Sequence, residues 1–216
     1  MNIAVIAADG RTGRAFVQTA LAAGHVVRAG VHSATATLPS HPNLTTTHCD
    51  ATNPDDVDRL ITGQDAVASF IGHVPKSDAT VQTDAITIVV ASMKRLGLKR
   101  IVSLTGTGVR FEGDHIPLMD HIMTMGIRLI DPQRVADGIS HVDVLKASGL
   151  DWTVVRVLKL EDVEPSAFSL KAHGPTKWYV GRKEVAQAVL QVINENSFIQ
   201  QAPIIARADS RLGDKA

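Results

Sequence analysis

The feature that most constrains this chain is a regular trade between short β-branched apolar runs and longer segments of helical periodicity, which starts at its third residue. Ile3 to Ala8 is continuously apolar and is bounded by Asp9-Gly10, the pattern of a central strand buried on both faces. Thr12 to Ala23 follows with Ala15, Phe16, Thr19, Ala20 and Ala23 at helical spacing, and Gly24 stands where a helix ends. Extended segments then alternate with helical ones: Val26 to Val31 and Leu44 to His48 extended, Asp55 to Ile61 helical, Ala66 to Ile71 extended, Ala79 to Leu96 helical, Arg100 to Thr105 extended. Pro132 to Ser148 reads as a helix ending at Gly149, Trp152 to Val157 as a strand, Arg182 to Asn194 as a helix, and Pro203 to Ala206 as a last short strand. Parallel strands cannot be joined by hairpins, so this order predicts an α/β fold with a doubly wound parallel sheet and right-handed crossovers.

At 216 residues the chain suits one α/β domain, expected over 1–207, with a small C-terminal substrate region and a frayed tail over 208–216. Two stretches break the rhythm, about 106–131 and about 158–180; both carry glycine and proline and are read as substrate-side loops. Met119, Met123 and Met125 in the first suit core packing of a loop helix better than a pocket lining. Acidic and basic residues are equal in number, which argues against direct nucleic-acid or anionic-membrane binding and for a small-molecule partner. No apolar run approaches the ~18 residues of a membrane span. The first residues enter a strand directly, without a signal-like segment, so a soluble, cytoplasmic protein is expected, monomeric or homodimeric. Cys49, the single cysteine, excludes an internal disulfide and reads as a half-buried strand-end residue.

The turn between the first strand and the first helix reads Ala7-Ala8-Asp9-Gly10-Arg11-Thr12-Gly13. A helix N-terminus presents unpaired N–H groups and the positive end of its dipole, so a glycine-bearing turn there suits a pyrophosphate. Gly10 permits close approach of the backbone, Gly13 permits close packing of helix on sheet, and Thr12 adds a hydroxyl donor. In this position, heading a series of βα units, the turn predicts a Rossmann-type domain that binds a nicotinamide dinucleotide. The end of the second strand, Val31-His32-Ser33, offers no acid for a ribose 2′-hydroxyl. Arg11, with His32 and Ser33 as lesser partners, favours NADP(H), while Asp9 opposes a phosphate and leaves NAD(H) open.

These segments carry a family resemblance. The turn at 7–13 resembles the G-A-T-G-x-T-G of the NAD(P)H-binding, NmrA-like group of atypical short-chain dehydrogenases/reductases, which includes the biliverdin and flavin reductases. Cys49-Asp50-Ala51 stands where the group has G-D-V. Gln64-Asp65-Ala66-Val67 leading to Ile71-Gly72, the run Ala91 to Val102, and Ser148 to Arg156 extend the likeness over most of residues 2–195. The resemblance implies that Asp50 meets the adenine amino group, with Ala51 under the ring, and that Ile71, Gly72 and His73 line the adenosine ribose and phosphates. It also implies that Thr105 faces the nicotinamide. The chain departs from the pattern at Ala7 and Asp9, and the superfamily's Y-x-x-x-K pair would fall at Arg134 and Gly138. The serine and histidine of the biliverdin reductases would fall at Gly106 and Lys159.

Without that pair, reduction of an isolated carbonyl lacks its acid, whereas flavin, quinone or bilin acceptors take hydride at a conjugated centre. The expectation is an NADPH-dependent reductase of such an acceptor, with Thr105 orienting nicotinamide or acceptor and Lys159 stabilising negative charge. The alternative is a non-catalytic NAD(P) sensor of the NmrA type that contacts a protein partner. No metal is expected: His115, His121 and His141 lack ligand spacing and read as isolated polar residues. Asp137 and Asp143 share no helix face and are expected to be solvated.

Overall fold

The computed structural model describes residues 1–33, 38–74, 77–106, 109–114, 131–173 and 179–207. Its first half runs β1 (Asn2–Ile6), α1 (Arg11–Ala22), β2 (Val26–Val31), β3 (Leu44–His48), α2 (Pro54–Ile61), β4 (Ala66–Ser69), α3 (Val81–Leu96) and β5 (Arg100–Gly106). The second half runs α4 (Pro132–Lys146), β6 (Asp151–Val157), β7 (Leu160–Glu161), β8 (Phe168–Lys171), β9 (Val180–Gly181), α5 (Arg182–Asn194) and β10 (Ile204–Arg207). An eight-stranded sheet has the order β3-β2-β1-β4-β5-β6-β10-β8, parallel except for β8, which pairs antiparallel with β10. This is the Rossmann-type doubly wound α/β architecture that the alternation anticipates.

The two faces of the sheet bury separate cores. Ile3 and Val5 of β1 point to a core with Phe16 and Val17 of α1 and Val185 and Val189 of α5. Ala4 and Ile6 point the other way, to Val57 and Leu60 of α2, Ile86 and Met93 of α3, and Leu145 of α4. A strand covered by helices on both faces has no solvent side, which is why β1 reads as an unbroken apolar run.

Helix ends follow local chemistry. Asn53 caps α2 by accepting from the N–H groups of Asp55 (3.0 Å) and Asp56 (3.4 Å), with Pro54 in the first turn. Asp131 caps α4 by accepting from the Arg134 N–H at 3.1 Å, again ahead of a first-turn proline. Gly97 closes α3 with φ 71°, the left-handed value that glycine adopts without penalty. No described helix is long and apolar enough to cross a membrane.

β1 ends two residues earlier than the apolar run suggests, because Ala7 turns into the left-handed region at φ 57° and starts the following turn. The expected loop over 158–180 contains three short strands, β7, β8 and β9, which pair with one another or at the sheet's edge. Most of the other irregular stretch, including His115, His121 and the three methionines, lies outside the described residues, as does the tail 208–216.

The strand order reverses beside β1: the chain leaves it for β2 on one side and returns to β4 on the other. Loops that follow β1 and β4 therefore diverge and open a crevice at the carboxyl ends of the strands, where open α/β sheets bind ligands.

Candidate functional site

The first wall of the crevice is the turn Ala7–Gly13. The Ala8 N–H donates to the Gly30 carbonyl (2.9 Å), and the Gly10 N–H donates to the Ala7 carbonyl (3.2 Å), which fixes the turn to β2. A Cβ on Gly13 would lie 2.3 Å from the Ala7 oxygen and 2.9 Å from the Ala8 Cα, so only glycine lets α1 rest on the sheet at this distance. Gly10 is the N-cap of α1, and no side chain caps that end, so its first-turn N–H groups face outward for an external anion.

On the β2 side of the turn, Asp9 Oδ2 accepts from the Ser33 N–H at 3.0 Å, which places an acid at the tip of β2 although β2 itself carries none. His32 lies beside His48, ring centroids 6.3 Å apart. Asp50 Oδ1 accepts from both the N–H (2.9 Å) and the hydroxyl (2.7 Å) of Thr52. Those hydrogen bonds hold its carboxyl below the usual carboxylate range. Asp50 and Ala51 thus follow β3 at the same edge as His32 and Ser33. Arg11 leans to the opposite flank: its guanidinium is exposed and 3.9 Å from Asp162, which also holds Arg182 at 2.8 Å. That placement differs from the expected one at the tip of β2.

On the other side of the turn a cleft of about 440 Å³ opens over the ends of β4, β5 and β6. It brings together Thr12, Ile71, Gly72, His73 and Thr105, five of the residues singled out from the sequence, with Arg134 and Gly138 from α4. The Ile71 carbonyl accepts from Gln82 Nε2 (2.9 Å), which ties the loop after β4 to α3. Thr105 Oγ1 is buried and has no hydrogen-bond partner among the described residues. It lies 3.0 Å from where a Cβ on Gly138 would stand, so a larger residue there would crowd the hydroxyl.

Lys159, expected near the reacting centre, is exposed and bonded to Glu161 at 2.7 Å, outside the cleft lining. Two further residues that differ from expectation lie on α4. Asp137, expected to be solvated, is 3% exposed and accepts from the N–H groups of Gln82 (2.9 Å) and Thr83 (3.0 Å) and from the Thr83 hydroxyl. His73 Nε2 stands 2.9 Å from its other side. His141, expected to be an isolated polar residue, is also buried, with Nε2 3.1 Å from Ser103 Oγ, and burial pushes its imidazole down to about 4. The missed signal is an acid and a histidine four apart on the stripe that also carries Gly138, Val142 and Leu145. Cys49 is more buried than expected, and burial pushes its thiol up to about 12, which leaves it inert as a nucleophile.

The chain's one tyrosine, Tyr179, has Lys183 four residues on, but it precedes α5, lies under the Arg207 guanidinium at 5.4 Å, and does not line the cleft.

Comparison with known proteins gives a family and a fold. The model of a family described as NAD(P)H-binding matches residues 7–196. A short-chain dehydrogenase/reductase from Veillonella parvula, solved in complex with NADP, superposes with a TM-score of 0.81 at 16% identity, covering 97% of this chain and 95% of that one. A Streptococcus pneumoniae protein proposed to be an NADH-flavin reductase gives 0.73 at 21% identity, covering 96% and 99%. A Rossmann-fold NAD(P)-binding family protein from Shigella flexneri gives 0.73 at 21%, covering 100% and 97%. At these identities the structural likeness is one of fold.

Proposed function

Because the chain belongs to the NAD(P)H-binding family, we propose that it is an NAD(P)H-dependent reductase of a flat conjugated acceptor of the flavin, quinone or bilin type. The observation that carries the reading is Thr105: a buried hydroxyl without a protein partner on the cleft floor, set between β5 and α4. An orphaned buried hydroxyl costs about 1–3 kcal/mol, and a ligand that bonds it recovers that cost.

The residues present fit the dinucleotide. The uncapped end of α1 and the Gly10 to Gly13 cradle suit a pyrophosphate, and the free oxygen of Asp50 suits an adenine amino group with Ala51 beneath. When bound, the dihydronicotinamide supplies the hydride. Thr105 orients the carboxamide or the acceptor, and Leu104, Val109, Val135, Val157 and Leu160 keep the reacting face apolar and poor in water. By the resemblance, the tyrosine and lysine that serve carbonyl reduction fall at Arg134 and Gly138, both of which line the cleft, and this supports acceptors that take hydride at a conjugated centre.

The cofactor preference is for NADPH, and it is small. Asp9 opposes a 2′-phosphate from its seat on Ser33, while His32, Ser33 and Arg11 favour one. The Arg11–Asp162 pair is exposed, and such pairs hold weakly, so Arg11 is free to swing toward the β2 side.

The test is calorimetric titration with NADPH and, separately, NADH, followed by absorbance at the nicotinamide band with flavin and quinone acceptors. Acceptor-dependent oxidation supports the reductase. Binding without turnover on any acceptor class overturns it in favour of a dinucleotide sensor, and binding of neither nucleotide overturns the cofactor assignment.

A further inference from the structure

We propose that His73, set against the buried carboxylate of Asp137, is the proton donor that accompanies hydride delivery in the cleft; the inference rests on the reductase reading above.

Reduction of a quinone-, flavin- or bilin-type acceptor to its neutral product needs one hydride and one proton. Among the described residues that line the cleft, the ionisable side chains are His73 and Arg134. A guanidinium keeps its proton at neutral pH, and Arg134 is turned to Asp131, its Nε 3.1 Å from Oδ2. Thr105 and Thr12 are alcohols and do not give up a proton near pH 7. The two positions where the resemblance places a serine and a histidine carry Gly106 and the exposed, Glu161-bound Lys159. His73 is left as the group able to exchange a proton there.

Its surroundings suit that role. The His73 and Asp137 side chains are 10% and 1% exposed, with Nε2 2.9 Å from Oδ2. Asp137 is fixed by the first-turn N–H groups of α3 at Gln82 and Thr83 and by the Thr83 hydroxyl. The positive end of α3 lies against the same carboxylate, so Asp137 forms a fixed wall beside the imidazole ring. Nε2 is buried 2.9 Å from Asp137 Oδ2 and makes no hydrogen bond among the described residues, so Nδ1 is the nitrogen left to the cleft. His141 lies one turn further along α4 and bonds Ser103, so it does not compete for the carboxylate.

The step balances. Hydride leaves C4 of the dihydronicotinamide for the conjugated centre of the acceptor, and the nicotinamide is oxidised. The Nδ1–H bond of the imidazolium breaks, its proton joins the heteroatom that gains electron density, and His73 is left neutral with its Nε2–H toward Asp137. Water at the cleft mouth returns the proton. Asp137 touches neither reactant and is a positioning residue.

The first arm needs no turnover. The cofactor-free protein is treated with diethyl pyrocarbonate and the modified histidines are mapped by mass spectrometry. His73 is expected to be carbethoxylated and buried His141 spared, with His73 protected at least about tenfold once NAD(P)H and a quinone are added. The second arm compares turnover of quinone by wild type, His73→Gln and Asp137→Asn across pH. His73→Gln is expected to lower kcat by about 100-fold, the typical contribution of a general acid, while nucleotide affinity changes far less. The fall of wild-type kcat at alkaline pH should vanish in that variant, and added imidazole should partly rescue His73→Ala. Asp137→Asn should lower kcat less than His73→Gln does, with the alkaline fall retained. Wild-type turnover that His73→Gln leaves within threefold, or an unprotected His73, overturns this inference alone. A wild type that turns over no acceptor overturns the reductase reading and this proposal with it.

Discussion

Gly13→Ala should damage both the fold and the cofactor site, whereas Gly10→Ala should damage only the site. The Cβ added at Gly13 meets the Ala7 oxygen at 2.3 Å and the Ala8 Cα at 2.9 Å, backbone atoms that cannot rotate away. Restoring an ordinary contact of about 3.5 Å requires α1 to lift by about 1 Å. That helix is anchored by Phe16, Val17 and Ala20, all fully buried, so lifting it loosens a packed face. Overpacking typically costs about 1–3 kcal/mol, and a backbone clash belongs at the upper end. For a chain of this size about 3 kcal/mol lowers Tm by roughly 6–12 °C. The same lift carries the first-turn N–H groups off the pyrophosphate, and losing one charge-assisted hydrogen bond of about 1.5–3 kcal/mol weakens binding at least about tenfold. At Gly10 the nearest atom to an added Cβ is the Ala7 oxygen at 3.3 Å, and φ −67° suits alanine, so the protein tolerates the methyl group. A pyrophosphate seated on that backbone would not. Thermal denaturation and calorimetric titration with NADPH separate the two effects. Wild-type Tm in Gly13→Ala refutes the close helix–sheet contact, and wild-type affinity in Gly10→Ala refutes the seating of the phosphates.

Three further outcomes follow from the same reasoning. Arg156→Met strips the Asp114 carboxylate, itself buried, of its bidentate partner (2.5 and 2.8 Å), which should cost about 3–5 kcal/mol; a Tm change under 2 °C would refute it, and a second change, Asp114→Leu, should recover part of the loss. Asp9→Asn removes the acid bonded to Ser33 and should raise the NADPH-to-NADH ratio of kcat/KM about tenfold, the scale of one nearby surface charge; an unchanged ratio in steady-state kinetics counts against Asp9 facing the 2′ position. Burial pushes His141 down to about 4, so below pH 6.5 the unfolded chain binds a proton there that the folded chain does not. Stability should therefore fall by up to about 3 kcal/mol as pH drops from 6.5 to 4, and chemical denaturation of His141→Gln over that range should show a shallower fall.

The parts of the fold that the sequence made legible are those whose signal is local. β2, β3 and α5 begin and end where their residue patterns do. Gly24, Gly97 and Gly149 take the positive φ that their places after α1, α3 and α4 imply. β7, β8 and β9 have two to four residues each, and Phe168–Lys171 forms only because β10 offers an edge, a long-range condition with no local trace. The tight turn Ala7–Gly13 was legible because glycine encodes its close packing of helix on sheet. The contact of Arg11 with Asp162 was not legible because Asp162 comes from a segment 151 residues away in sequence. Asp137 was misread because acids default to solvent, and the donors that admit it to the interior belong to α3.

Asp137 belongs to a polar seam in an otherwise apolar contact between α4 and β5. Ser103 and Thr105, two apart on β5, point to the same face, and Asp137, Gly138 and His141 lie opposite. Ser103 and His141 bond each other in the interior, although His141 Nδ1 has no partner among the described residues; Asp137 is filled by α3, and Thr105 Oγ1 on the cleft floor has no partner among the described residues. A seam kept for stability alone gains nothing from a buried hydroxyl left unpaired, because an apolar residue there avoids the desolvation cost. Under the reading proposed above, Thr105 is the member of the seam that also lines the cleft, so it is where a bound ligand would meet the seam.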